Sequence, residues 1–284
     1  MDIGYTLTGS TEEQCFFILN GNGANGKSTF INIISKLLGR YAKAAPEHTF
    51  LAGQRSGVGD DLIYLAGSRF ISVAELDHGQ SLAEAKIKRI TGGDQITGRA
   101  LYGVNQEQRM IGKIFLATNN LPNVKGRDHG IYRRFQIIPF DRTFDVHEQD
   151  GKLFEKLEAE LSGILNWAVE GCLEWQEHGL QSPKIVTDQL EHYIRDTDTV
   201  RKYVEAELEF APNERVMSSR LYQTYRDWCS RMGYATQDDR QFKAALEQIE
   251  GVTYKKTKKG RYYEGVKYRV DMHTPVIENP DILF

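Results

Sequence analysis

Eight consecutive residues, Gly21-Asn22-Gly23-Ala24-Asn25-Gly26-Lys27-Ser28, follow the spacing GxxxxGK[ST]. That spacing suits a polyphosphate. The glycines let the backbone curl around phosphate oxygens, Lys27 reaches the β- and γ-phosphates, and the Ser28 hydroxyl can ligate magnesium. Residues 21–28 and the adjoining Thr29 are therefore the candidate ATP-contacting stretch. Hydrolysis at such a loop also needs a carboxylate. Glu75, 48 residues after Lys27 and at the end of an apolar run, is the candidate base and a magnesium partner through water. Asp77 is the fallback acid. The Asn119 amide can hold an attacking water, although Asn119-Asn120-Leu121-Pro122 is also good turn chemistry. Arg133 and Arg134 can neutralise charge developing on a transferred phosphoryl group, or form a plain surface pair.

The segments around these residues must deliver them. Cys15 to Leu19 reads as a strand before the loop, and Thr29 to Leu38 as a helix closed by Gly39, so the loop sits at a helix N-terminus that attracts phosphate. Phe70 to Ala74 ends at Glu75, Lys113 to Thr118 ends at Asn119, and Phe135 to Phe140 follows the arginines. Short apolar runs alternating with longer mixed segments up to about Asp141 predict an α/β domain with crossovers and a central, mostly parallel sheet.

Residues 142–199 are expected to form a connecting helical segment. Between Gly151 and Trp175 the residues Leu153, Leu157, Leu161, Ile164, Ala168 and Cys172 mark one helix face. Residues 200–272 read as a separate module with helices at Val200 to Leu208, Ser218 to Met232 and Arg240 to Ile249. Strands at Gly251 to Lys256 and Tyr262 to Val270 follow, a winged-helix-like order. Residues 273–284 read as a tail. From Val252 to Val270 there are seven basic residues against one acid, so Lys255, Lys256, Lys258, Lys259 and Arg261 are candidate phosphate contacts; the alternative is a solvated lysine-rich turn. Tyr254, Tyr262, Tyr263 and Tyr268 either pack the hairpin or stack on bases. Trp167, Trp175 and Trp228 are assigned to helix-packing faces.

Composition narrows the class. The 284 residues carry a formal net charge of -3, so the whole molecule is no polycation and any basic surface is local. No apolar run approaches the roughly 20 residues of a membrane span. Three cysteines are too few and too far apart for a disulfide framework or a CxxC zinc site, and the seven histidines show no HxH or HExxH spacing. A soluble cytoplasmic protein is the expectation.

Taken in order, the loop, Ser72-Val73-Ala74-Glu75, Ala117-Thr118-Asn119-Asn120-Leu121-Pro122 and Tyr132-Arg133-Arg134-Phe135 resemble the superfamily 3 helicases. The likeness is to the helicase part of phage and plasmid primase-helicases and of the poxvirus primase-helicase. Lys88-Arg89-Ile90-Thr91-Gly92-Gly93-Asp94 and Arg99-Ala100-Leu101-Tyr102 extend it. The resemblance implies an AAA+ related ATPase core in a homohexameric ring, ATP and magnesium bound between subunits, and movement along single-stranded DNA. It implies Asn119 as the sensor and one of the two arginines, with a preference for Arg134, as the finger reaching a neighbour's site. It further implies a channel hairpin at about Ile96 to Ile111, with Arg99 and Tyr102 as strand contacts by charge and by stacking.

The chain departs from some relatives at the hairpin tip, where Gly103 and Val104 stand in place of a Lys-His pair, and in having Ala74 before a single acid. Only 14 residues precede the first strand, so a primase or polymerase domain and the collar helices are expected in a separate upstream part. Two rivals remain from the residues alone. A small-molecule kinase would use the same loop, acid and arginines, and a DNA-binding regulator would use ATP as a switch.

Overall fold

The computed structural model describes residues 1–53, 60–74, 79–99, 105–124 and 129–269. Its contacts divide the chain into two units, Met1–Ile194 and Arg195 onward. Through the first unit run α1 (Asp2–Thr6), β1 (Phe16–Asn20), α2 (Lys27–Leu38), β2 (Ala42–Ala45), α3 (Asp60–Leu65), β3 (Phe70–Val73), α4 (Glu84–Thr91), β4 (Gln95–Arg99), β5 (Asn105–Arg109), β6 (Lys113–Thr118), α5 (His129–Tyr132) and β7 (Phe135–Pro139). Then come α6 (Leu153–Ala159), α7 (Leu161–His178) and α8 (Lys184–Thr197).

Five strands form one parallel sheet in the order β2-β3-β6-β1-β7. β1 and β6 are central and buried on both faces, which is why they read as unbroken apolar runs. Successive side chains take opposite faces. Phe16 and Ile18 join Ile71, Ile114, Leu116, Phe135 and Ile137 in one core. Phe17 and Leu19 join Phe115 and the α2 residues Ile33 and Ile34 in the other. Each such side chain, fully buried, contributes about 1.5–3 kcal/mol. The register aligns the strand ends: Asn20 faces Thr118, and Leu116 faces Val73, so the loops after β1, β6 and β3 open along one sheet edge. In open parallel sheets that edge is where ligands bind.

The helix expected from 151 to 175 is two helices, parted at Glu160, whose ψ of 10° leaves the helical basin. Leu157, Leu161, Ile164, Ala168 and Cys172 pack on the α2 side of the sheet as their spacing requires, whereas Leu153 is 40% exposed. Trp175 is buried and its indole Nε1 donates to Glu13 at 2.7 Å. Trp167 does not pack as expected. It is 53% exposed, because it lies one residue, a turn of about 100°, off the stripe that Ala168 occupies.

In the second unit, α9 (Thr199–Glu207), β8 (Leu208–Met217), α10 (Ser218–Met232), α11 (Asp239–Leu246), β9 (Thr253–Thr257) and β10 (Gly260–Tyr268) follow in order. The three strands form an antiparallel sheet, β8-β10-β9. Tyr203, Tyr225, Trp228 and Phe242 build its core by edge and stacked ring contacts. β8 was not anticipated. It is an edge strand with only Leu208 and Val216 buried and with Pro212 inside, and proline is tolerated at an edge.

Candidate functional site

The loop between β1 and α2 is held from within. Gly26 has φ 88°, a conformation that a side chain strains, and it turns the chain into α2. Gly21 runs so close to the chain leaving β7 that a Cβ there would lie 2.3 Å from the Phe140 carbonyl oxygen. Asn25, 7% exposed, is the inner brace: its Nδ2 donates to the carbonyls of Asn22 (2.9 Å) and Phe140 (3.0 Å). The Phe144 amide donates to the Ala24 carbonyl at 2.9 Å, a second tie to the chain after β7. Nothing in the motif singles out Asn25, since its position is one of four free ones. The signal would have been an amide able to donate twice inside a loop with few other side chains.

Lys27 is buried at 7% exposure. Its ammonium donates to the Gly21 carbonyl, to Asn25 Oδ1 at 3.1 Å and to Asn119 Oδ1 at 3.1 Å. Lysine and asparagine, 92 residues apart in sequence, thus meet at the sheet edge. Asn119 is presented by a tight turn, in which the Thr118 hydroxyl donates to the Asn120 carbonyl (2.7 Å) and accepts from the Asn120 amide (3.2 Å). From α8, the Tyr193 hydroxyl donates to the Pro122 carbonyl and braces the same loop. Burial raises the Tyr193 pKa, so it remains a donor.

A cleft of about 520 Å³ opens over the loop, lined by residues 23–29 together with Ser72, Val73, Ala74, Ala117 and Asn119. Ser28 is exposed at the α2 N-terminus. Loop amides, a helix N-terminus, an ammonium and a hydroxyl form a donor set that fits a polyphosphate with its metal. Glu75 and Asp77 lie outside the described residues. β3 ends at Val73, at the same sheet edge.

The two arginines lie at the opposite edge. Phe16 pairs with Phe135 and Asn20 with Pro139, and four residues of strand span roughly 13 Å. Neither arginine can clamp a phosphate on its own chain's loop. The structure sets the two arginines in different surroundings. Arg134 is 7% exposed and works inside the chain, donating through Nε to Thr91 Oγ1 (3.0 Å), through Nη2 to Gln14 Oε1 (3.0 Å) and through Nη1 to the Gly130 carbonyl. Arg133 is exposed, and its Nη2 donates to Gln14 Oε1 at 2.6 Å. Gln14, which the sequence did not single out, orients both from a left-handed backbone with φ 51°.

β4 and β5 pair as an antiparallel hairpin, Gln95 opposite Arg109 and Arg99 opposite Asn105, within the span expected for a channel hairpin. Tyr102 and the Arg99 side chain lie outside what is described. In the second unit, Lys255, Lys256, Lys258, Lys259 and Arg261 are all exposed on the β9–β10 hairpin. The tyrosines among them pack. Tyr263 is fully buried, Tyr254 lies 5.4 Å from it ring to ring, and the Tyr268 hydroxyl shares a hydrogen bond with Thr224 at 3.0 Å.

Residues 195–279 match the family described as poxvirus D5 protein-like, and residues 19–134 match a family of unknown function, DUF5906. The chain is 30% identical over 244 residues to "Putative helicase L207/L206" of Acanthamoeba polyphaga mimivirus, covering 78% of this chain and 25% of that protein. It is 24% identical over 247 residues to "Putative helicase 022R" of Frog virus 3, covering 79% and 25%. The chain thus spans about a quarter of the length of these curated relatives. The apo structure of the NrS-1 C-terminal region has the same fold, with a TM-score of 0.53 and 11% identity over 93% of this chain and 70% of that one.

Proposed function

Because the chain is related to superfamily 3 helicases of the primase-helicase type, we propose that it is an ATP-driven motor acting on single-stranded DNA. The setting would be replication of a virus, phage, plasmid or related element. The observation that carries this reading is the division of the site. Lys27 and Asn119 meet at one edge of the sheet, while the exposed Arg133 sits at the other. Among the described residues neither Arg133 nor Arg134 reaches the chain's own phosphate loop, which favours a loop completed by a second subunit.

In this reading ATP is the substrate, held by the loop amides and by Lys27. Magnesium, when bound, neutralises phosphate charge, and Ser28 and, through water, Glu75 are the residues to hold it. Glu75 takes the proton of the attacking water and Asn119 orients that water. The bond from water oxygen to γ-phosphorus forms as the bond to the β-phosphate oxygen breaks. Arg133 of the neighbouring subunit meets the charge that develops. The β4–β5 hairpin, with Arg99 and Tyr102, would follow the strand in the channel of a hexameric ring. The second unit, helix–strand–helix–helix–strand–strand in order, is read as a winged helix whose hairpin contacts DNA.

Two inactive variants test the shared site. Lys27→Ala and Arg133→Ala subunits should each lack turnover alone, yet mixed subunits should recover part of it, because some interfaces then pair an intact loop with an intact arginine. No recovery at any ratio would remove the shared site.

A further inference from the structure

The β9–β10 hairpin carries a repulsion that folding alone does not explain. Lys256 lies directly opposite Arg261 across the ladder, and like charges so placed are destabilising. Lys258 and Lys259 form the turn between them, and Lys255 faces Tyr262 on the other side of the hairpin. Five cations thus crowd seven residues. Glu264, the hairpin's acid, pairs with Thr253 at the end away from the turn, and Lys267 is already bound to Glu209 at 2.7 Å. Among the described residues none of the five cations has an ion pair. Such a cluster suits a polyanion.

Three observations decide which one. First, each tyrosine of the hairpin is buried or already has a cation over its ring. Tyr254 has the Lys243 ammonium 3.6 Å from its ring centroid, Tyr262 has the Arg215 guanidinium at 4.8 Å, Tyr263 is fully buried and Tyr268 has Arg220 at 5.6 Å. Proteins that hold single strands combine cations with exposed aromatic rings, and none of these four tyrosines is fully exposed. Second, the helix that would enter a groove begins with carboxylates. Asp238 caps α11 by accepting from the Gln241 amide at 2.8 Å, and Asp239 follows it, exposed. Pushed toward a duplex, that end brings two carboxylates against the single guanidinium of Arg240. Third, the turn has no apolar side chain to enter a lipid surface: Thr257, Lys258, Lys259 and Gly260 form it.

We infer that the hairpin grips the phosphate backbone of duplex DNA without reading its sequence, and that α11 stays out of the groove. This deepens the motor reading, on which it rests. The strand in the channel and the duplex at the hairpin are two different ligands, and the second unit keeps hold of the unseparated duplex.

The test uses the full chain and a variant with Lys255, Lys256, Lys258, Lys259 and Arg261 all changed to glutamine. A second variant, Lys258→Glu, changes only the turn. Binding is measured by fluorescence anisotropy between 50 and 200 mM salt on three duplexes of different sequence and on a single strand, with thermal melts to confirm folding. For the wild type, five phosphate contacts give a log–log salt slope for duplex of about 4 to 5 from the hairpin. The glutamine variant should lose most of that slope and bind all three duplexes at least about tenfold more weakly at low salt, with Lys258→Glu between.

Unchanged duplex binding in the glutamine variant, a loss confined to one sequence, or a larger loss on the single strand would overturn the inference while leaving the motor intact. Wild-type binding to anionic phospholipid vesicles at the duplex affinity would overturn it as well. Hydrolysis that ignores the single strand while duplex binding behaves as expected would instead count against the motor.

Discussion

Replacing Asn25 with alanine separates the loop's internal scaffolding from its contacts with nucleotide. The side chain is buried and holds the loop's shape through two donated hydrogen bonds, to the Asn22 and Phe140 carbonyls. Each is worth about 0.5–1.5 kcal/mol net, so their loss removes roughly 1–3 kcal/mol of ordering from the loop. That ordering must then be supplied on binding. At 1.4 kcal/mol per tenfold, nucleotide affinity should fall roughly 5- to 150-fold. The third bond, from Lys27 to Asn25 Oδ1, does not add to this sum, because the ammonium keeps its bonds to the Gly21 carbonyl and to Asn119. Asn25→Asp should be worse than alanine, since it keeps an acceptor for Lys27 but sets a carboxylate oxygen against two carbonyls. Isothermal titration with a non-hydrolysed ATP analogue, beside thermal melts, checks both. Affinity of Asn25→Ala within twofold of wild type would refute the reasoning, and so would Asn25→Asp binding better than Asn25→Ala.

Other outcomes follow from the same geometry. Arg134→Ala should melt earlier by the equivalent of about 2–4 kcal/mol, because it strips a buried guanidinium from Thr91, Gly130 and Gln14. Arg133→Ala should melt as wild type and lose turnover; the reverse pattern would restore Arg134 as the finger. Glu75→Gln should bind ATP and fail to hydrolyse it, and undiminished turnover in this variant would remove the base assignment. Lys113 donates from a buried site to the Thr8 carbonyl at 2.6 Å and lies over the Tyr5 ring, and burial first of all lowers its pKa from 10.5 to about 8. A folded pKa below the unfolded one is a cost that is present in full below about pH 8 and is relieved as pH rises from about 8 toward 10.5, by up to roughly 3 kcal/mol. Cys15, raised by burial to about 12, opposes this above about pH 9, so the clean window is pH 8 to 9. The unfolding free energy of wild type minus that of Lys113→Met should rise across it, and a flat difference would contradict the assignment.

The loop, its strand and its helix were legible because they are local. Gly21 to Ser28 has a fixed spacing, and an apolar run before it and a helical period after it need no distant partner. The meeting of Lys27 with Asn119 was legible only as an order of motifs, since strand order places them together and no local pattern states it. Asn25, Gln14 and the Phe140 carbonyl were not legible, because their work is done across 115 residues of sequence or by backbone atoms common to every residue. The arginine pair shows the same limit. Two adjacent guanidiniums look alike in sequence, yet the turn before β7 sends Arg134 inward and Arg133 outward. β8 escaped notice for a different reason: an exposed edge strand with a proline carries little alternation to read.

The most direct test of the motor is magnesium-dependent ATP hydrolysis with and without single-stranded DNA, at protein concentrations that permit ring assembly and with Lys27→Ala as the blank. The account predicts turnover that the strand stimulates and that Lys27→Ala abolishes. Turnover of equal rate with and without the strand would contradict it and favour a small-molecule kinase.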